Sequence, residues 1–431
     1  MGKKYDNPLR WLRLDNAAKL YPAVRRRDWS NIFRQSVTLT EDVDTQVLKS
    51  ALEVVVKRFP SIAARLRKGL FWYYLQQVES APELRQEYSY PLVYMSNAEM
   101  RQCAFRVIVY RNRIAVEFFH ALTDGTGALI FLKNLVAEYL EQKYAIQIPL
   151  EYGILDRKAQ PTEEELEDCF VKNAGPVPAS RKATDAWQLY GDSRWDGFLD
   201  VTCFRLSVQE TLALAHQYGV TLTVFISAVM MQALLNLQKE KTPNVKRQKR
   251  IKLLIPINLR QLFPSNTLRN FSMFTIPELD PRLGEYSFEE ICKVIYHKMG
   301  TEFTVKYMSS VIATNVSNEK NPVVRLIPLP IKNAVMKAVF DSVGEIKSCL
   351  SLSNMGQVKL PEQMKPYIQR FDFILGVQAD SPYNCGMVSY GDTININFIR
   401  NIRDAELERH FFGVLQGLGL PVTIESNQKE R

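Results

Sequence analysis

Two β-rich runs, AFRVIVY (Ala104–Tyr110) and RIAVEFF (Arg113–Phe119), flank a tight polar turn through Asn112. β-Branched and aromatic residues on both sides of so short a break predict an antiparallel hairpin. The second run stops at HALTDGTG. Beyond it Leu129, Leu132, Leu135, Val136, Tyr139 and Leu140 recur at helical spacing. A strand that turns directly into a helix leaves the turn's side chains at the rim of a sheet, where binding sites often form. His120, Thr123, Asp124, Gly125 and Gly127 are rim residues in this sense.

The rest of the chain repeats this mixture. QSVTLT (Gln35–Thr40) predicts a strand. Leu48, Leu52, Val55, Val56 and Phe59 predict a helix capped by Asp42 or Asp44 and stopped by Pro60. LFWYYLQQV (Leu70–Val78) predicts an aromatic strand. From Glu151 to Asp200 the sequence is polar and irregular. VTCFRLS then restarts the pattern, followed by helices near Val208–Tyr218 and Thr223–Leu237. KRIKLLIPINLR, FDFILGVQ and DTININF predict later strands, and LERHFFGVLQGL a closing helix. No glycine-rich phosphate fingerprint follows any strand. The expected fold is mixed α/β in two lobes: an N-terminal lobe over 1–170, a crossover over 171–200 and a C-terminal lobe over 201–431.

Bulk properties narrow the class without naming it. At 431 residues, 46% hydrophobic and 23% charged, the chain is long enough for two cores and too apolar for disorder. A net charge of +9 favours anionic partners. Basic segments such as KEKTPNVKRQKRIK (Lys239–Lys252) lack the interleaved aromatics of a nucleic-acid platform, so no nucleic-acid partner is expected. Six scattered cysteines, none at CxxC spacing, point to reduced and mostly buried thiols. The N-terminal stretch MGKKYDNPLRWLRLD has no signal-peptide core. The longest apolar run, Val220–Leu237, carries Thr, Ser, Gln and Asn and suits a buried helix better than a membrane span. The expectation is a cytoplasmic protein with no transmembrane segment.

Four histidines are present, and no two have metal-ligand spacing, so no metal site is expected. His216, His297 and His410 read as ordinary helix residues. His120 ends an apolar strand, and an imidazole titrates near neutrality, so it can take a proton from a hydroxyl, amine or thiol. Position alone also allows a strand-end histidine beside an Asp124 that merely caps a helix.

HALTDG fits the HxxxDG signature of the chloramphenicol acetyltransferase-like superfamily, which includes condensation domains of peptide synthetases. Other segments agree with that pattern in order. Thr38–Leu66 resembles the opening strand and helix, and IPINLRQLFPSNTLRNF (Ile255–Phe271) resembles a Pro-x-Asn-x-Arg segment followed by a later Asn. LSNMG (Leu352–Gly356) resembles an SNxG stretch, and FDFILG partly echoes the DFGWG of plant acyltransferases. Phe119 stands where many condensation domains have a second histidine. The pattern is therefore nearest to the bacterial alcohol acetyltransferase-like branch.

The resemblance implies a two-lobed fold, each lobe a mixed sheet flanked by helices, with a tunnel between them. It implies acyl transfer with His120 as general base and Gly125 as a point of close backbone approach. Asp124 would form a buried bidentate pair with Arg260, supported by Asn258, to hold the loop, and Ser353 and Asn354 would be oxyanion or substrate contacts. Acyl-CoA would be the co-substrate, with no permanently bound cofactor, and the acceptor a small or lipid-like alcohol or amine. An acyl carrier protein is an alternative donor, and Lys239–Lys252 could meet either donor, although a solvated helix end is the simpler reading. Val323–Phe340, apolar with spaced lysines, reads by default as core, with the lining of an acceptor channel or a contact with a lipid surface as the alternatives. A monomer is expected. The competing functions are a carrier-dependent condensation enzyme acting in trans and a non-catalytic binding member of the fold.

Overall fold

The computed structural model describes residues 11–26, 31–177, 185–194, 197–320, 325–343, 348–377 and 381–428. The predicted hairpin is present as strands Phe105–Tyr110 and Arg113–Phe119, and it forms the centre of a five-stranded sheet. Strand Ile32–Leu39 pairs antiparallel with the second arm, and the short strand Arg85–Gln86 runs parallel to the first. Helix Thr45–Arg58, capped by the Asp44 carboxylate on the amides of Gln46 and Val47, packs on helix Gly125–Tyr144. Phe59, Phe105, Phe118 and Phe131 interlock edge-on between sheet and helices. This aromatic cluster gives the first lobe a rigid core behind the His120 turn.

An eight-stranded mixed sheet organises the second lobe. Its order is Ser272–Thr275, Ile251–Asn258, Leu350–Gln357, Tyr383–Tyr390, Thr393–Arg400, Asp200–Ser207 and Thr423–Ser426, with Glu278–Leu279 beside Ile251–Asn258. Leu350–Gln357 lies parallel to both of its neighbours, and the remaining pairings are antiparallel. Helix Leu222–Lys241 has the length and apolarity of a membrane span, but most of it lies inside the second core. A third, smaller apolar cluster around Phe170, Leu259, Phe271 and Met308 joins segments from both halves of the chain.

Three sequence readings change here. Strand Ile368–Ile374 falls in the span assigned to the C-terminal lobe, yet it pairs antiparallel with Ile32–Leu39 and completes the first sheet. A division into 1–170 and 201–431 therefore does not follow the sheets. The end of the 171–200 crossover is no free linker: Ala186, Trp187 and Leu189 are buried in the second core, and the Trp187 amide bonds to Arg250. Val323–Phe340 is not uniformly core, because helix Leu329–Val343 presents Ile331 and Val335 to solvent. Strand Tyr383–Tyr390 went unpredicted. It is buried along nearly its whole length and so lacks the alternation that marks a half-exposed strand.

Candidate active site

His120 follows directly on strand Arg113–Phe119, and its amide bonds to the Asn31 carbonyl at 2.9 Å. The imidazole is held on two sides. Tyr21 stacks on it with centroids 4.5 Å apart, and Phe33 meets it edge-on at 5.0 Å. Nδ1 lies 3.1 Å from Asn270 Oδ1. Asn270 is oriented by its own amide group, whose Nδ2 donates to Asp15 Oδ2 at 3.1 Å. Asp15 is fully buried, accepts the Ala18 amide at 2.7 Å and lies 3.7 Å from Arg269. With Asn270 Nδ2 committed to a carboxylate, Oδ1 is left as acceptor, so Nδ1 must carry the imidazole proton. The lone pair is then on Nε2, the nitrogen free to act as base.

Burial lowers the His120 pKa, while its backbone contact, Asp124 and Asn270 pull the other way. The charged form is disfavoured, so the ring stays neutral until the pH falls below the ordinary imidazole value of 6.5. Removing Asn270 deletes one influence that raises the pKa and releases the tautomer. For Asn270→Ala we expect kcat/KM to fall about tenfold, the size of one net hydrogen bond. The acid limb of its pH profile should also move to lower pH. Asn270→Asp should move that limb to higher pH, and a profile unchanged in both variants would remove Asn270 from the site.

Asp124 does not face the imidazole in a hydrogen bond. Oδ1 caps helix Gly125–Tyr144 at the Gly127 amide (3.1 Å). Oδ2 accepts from Arg260 Nη1 at 2.7 Å and from the Phe271 amide at 2.8 Å. The pair is therefore not bidentate, because the second carboxylate oxygen is used by its own helix. Arg260 spends its remaining donors on the carbonyls of Thr267 and Arg269 and on Asn258 Oδ1. Asn258 Nδ2 in turn donates to Thr126 Oγ1 at 3.2 Å, and Thr123 Oγ1 to the Leu268 carbonyl at 2.6 Å. The loop bearing His120 is thereby stitched to the segment that follows strand Ile251–Asn258. In this arrangement Asp124, Arg260 and Asn258 bond to one another and to the His120 loop, and none of them bonds to the imidazole.

The glycines divide unevenly. A Cβ at Gly127 would stand 2.4 Å from the Leu268 carbonyl oxygen and 2.2 Å from Thr123 Oγ1, so backbone itself forbids a side chain. At Gly125 the obstacle is Met355 Sδ at 2.5 Å, the end of a flexible side chain. Gly127 is the stricter requirement, although the motif draws attention to Gly125.

Ser353 and Asn354 lie on strand Leu350–Gln357, whose register shifts after Asn354. Asn354 is committed locally: Nδ2 donates to Thr223 Oγ1 at 2.9 Å, and Oδ1 accepts the Gly356 amide at 2.7 Å. Gly356 has φ 73°, the left-handed geometry that this tight turn needs. The basic segment Lys239–Lys252 begins at the far end of helix Leu222–Lys241. At 1.5 Å per residue it starts about 24 Å from the Thr223–Asn354 contact, with Lys239 and Lys241 paired to Glu285 and Glu406. The segment is solvated only in part, because its end, Ile251 and Lys252, is buried on strand Ile251–Asn258.

His216, His297 and His410 all lie on helices, the last 3.0 Å from Glu240. Among the described residues no cluster of His, Cys, Asp or Glu could hold a metal ion. The six cysteines are free, five of them buried.

The fold so defined is the two-lobed mixed α/β fold of condensation domains and related acyltransferases. No family model and no curated protein sequence matches the chain. Similar solved structures include the trichothecene 15-O-acetyltransferase TRI3 of Fusarium sporotrichioides, with 12% identity, 95% of this chain and 94% of that one covered, and a TM-score of 0.60. The first condensation domain of the CDA synthetase gives 11% identity, 95% coverage of both chains and a TM-score of 0.58. F. sporotrichioides TRI101, solved with coenzyme A and T-2, gives 9% identity, 96% and 99% coverage, and a TM-score of 0.58.

Proposed function

We propose that this protein is an acyltransferase that moves an acyl group from coenzyme A to a hydroxyl or amine, with His120 as general base. The observation that carries this reading is the state of His120: Nδ1 is committed to an asparagine that Asp15 orients, burial keeps the ring neutral, and Nε2 is left as the basic nitrogen. Nε2 takes the proton of the acceptor as its oxygen or nitrogen attacks the thioester carbonyl. The tetrahedral intermediate collapses with cleavage of the C–S bond, and the imidazolium returns the proton to the leaving thiolate. The Ser353 hydroxyl is the better of the two oxyanion candidates, since Asn354 is already occupied. TRI101 carries coenzyme A, which supports that donor. The alcohol acetyltransferase-like pattern of the motifs favours an alcohol as acceptor, and we read the enzyme as a cytoplasmic monomer.

The test is release of free thiol from acetyl-coenzyme A in the presence of a panel of alcohols and amines. Release that requires an acceptor supports the proposal. Turnover only of an acyl group presented on a carrier protein would assign the chain to trans-acting condensation instead.

A further inference from the structure

Asp15 lies between strand Leu12–Arg13 and helix Leu20–Val24, the short helix whose Tyr21 stacks on His120. The segment around it is fastened on both sides. Arg269 Nη2 donates to the Arg13 carbonyl, and Asn16 Nδ2 donates to Glu319 Oε2 at 2.8 Å. Lys19 pairs with the same Glu319 carboxylate. A carboxylate as fully buried as Asp15 persists only where donors replace the water it has lost. Here Oδ1 accepts the Ala18 amide at 2.7 Å and Oδ2 accepts Asn270 Nδ2 at 3.1 Å, with Arg269 Nη2 3.7 Å away. Burial raises the carboxyl above its ordinary value of 3.8, while Arg269, the Ala18 amide, Asn270 and Lys19 draw it back down. Both oxygens face N–H donors, which is the pattern of an ionised, acceptor-only group.

A carboxamide between such a group and an imidazole has two orientations, and they are not equivalent. With Nδ2 toward Asp15 and Oδ1 toward His120 Nδ1–H, every contact is a hydrogen bond. Inverted, Oδ1 would meet the carboxylate and two acceptors would face each other.

We propose that Asp15 is a positioning residue that selects the tautomer of His120 through Asn270, and that its negative charge is what the selection requires. The consequence for catalysis rests on the acyltransferase reading, and the selection itself does not. An asparagine at position 15 would keep its oxygen on the Ala18 amide and turn its Nδ2 toward Asn270. Asn270 then inverts to meet that donor with Oδ1, and its own Nδ2 faces His120. Nδ1 becomes an acceptor and the imidazole proton moves to Nε2. The ring stays neutral, but the lone pair that takes the acceptor's proton is gone from Nε2.

Nitrogen-15 NMR of the full chain labelled at histidine reads the tautomer directly, in alkaline buffer where the ring is neutral. The chain has four histidines, so the His120 signals are identified by their loss in His120→Ala. Wild type is expected to show Nδ1–H, and Asp15→Asn to show Nε2–H. Asp15→Asn combined with Asn270→Asp should return to Nδ1–H, because a carboxylate oxygen then faces the imidazole. In thiol release, Asp15→Asn should lower kcat by about 10²–10⁴-fold, as for loss of a general base, with the KM for acetyl-coenzyme A unchanged. The double variant should recover to within about tenfold of wild type, which repair of mere packing would not achieve. An Nδ1–H ring in Asp15→Asn, or an Nε2–H ring in wild type or in the double variant, overturns the proposal. Should Asp15→Asn not fold, Asn270→Ala is read instead. Both tautomers are expected once the relay is cut, and Nδ1–H alone overturns the proposal. The spectra need no turnover, so a protein without acyltransferase activity would still support or overturn the relay.

Discussion

His120→Ala is expected to lower kcat for thiol release from acetyl-coenzyme A by about 10²–10⁴-fold, the usual contribution of a positioned general base. The variant should remain folded. The side chain makes one hydrogen bond and two ring contacts, and the backbone bond to Asn31 survives the substitution. Circular dichroism and thermal melting separate the two effects. The KM for acyl-coenzyme A should change little, because the imidazole acts on the acceptor's proton. Equal thiol release from both proteins would remove His120 from the chemistry and leave a binding role for the fold.

Arg260→Ala should damage stability and activity together. The guanidinium reaches Asp124, Asn258 and the carbonyls of Thr267 and Arg269. Its removal leaves Asp124 Oδ2, itself buried, with only the Phe271 amide. Losing one partner of a buried pair costs about 3–5 kcal/mol, which a denaturant titration resolves. A lowered midpoint with activity lost in proportion to unfolding alone would make Arg260 purely structural. We expect more: kcat reduced at temperatures where the variant is fully folded, because the loop carrying His120 loses its tie across the lobes. Arg260→Lys keeps the charge but cannot reproduce the fan of donors, so it should recover stability only in part.

Much of this site could be read from residue order. The hairpin ending at Phe119, the His120 turn and the helix after it depend on local patterning and occur where the spacing put them. Asp124 and Arg260 could be paired only through resemblance to a known motif. Asn270 stood out only as one of two candidates, with Asn266, for the later Asn of the resemblance, and Asp15 not at all, because nothing local distinguishes an asparagine that will meet a histidine 150 positions earlier. Their one structural signal is burial of polar groups that then need partners. The misreading of Val323–Phe340 has a similar cause. Apolar residues at helical spacing describe a packed face and an exposed one equally well, and only the neighbouring segments decide. Strand Tyr383–Tyr390 was missed because residues buried on both faces carry no alternation.

The return of strand Ile368–Ile374 to the first sheet bears on how the protein is made. Until that late segment emerges from the ribosome, Ile32–Leu39 has a partner on one side only and stands as an open edge. The first lobe thus cannot finish folding as a unit during synthesis, although its hairpin and helices are all encoded early. Its last strand arrives only after most of the second lobe has been translated. Such long-range closure slows folding, and it makes the nascent N-terminal half the part of this chain most in need of protection by chaperones.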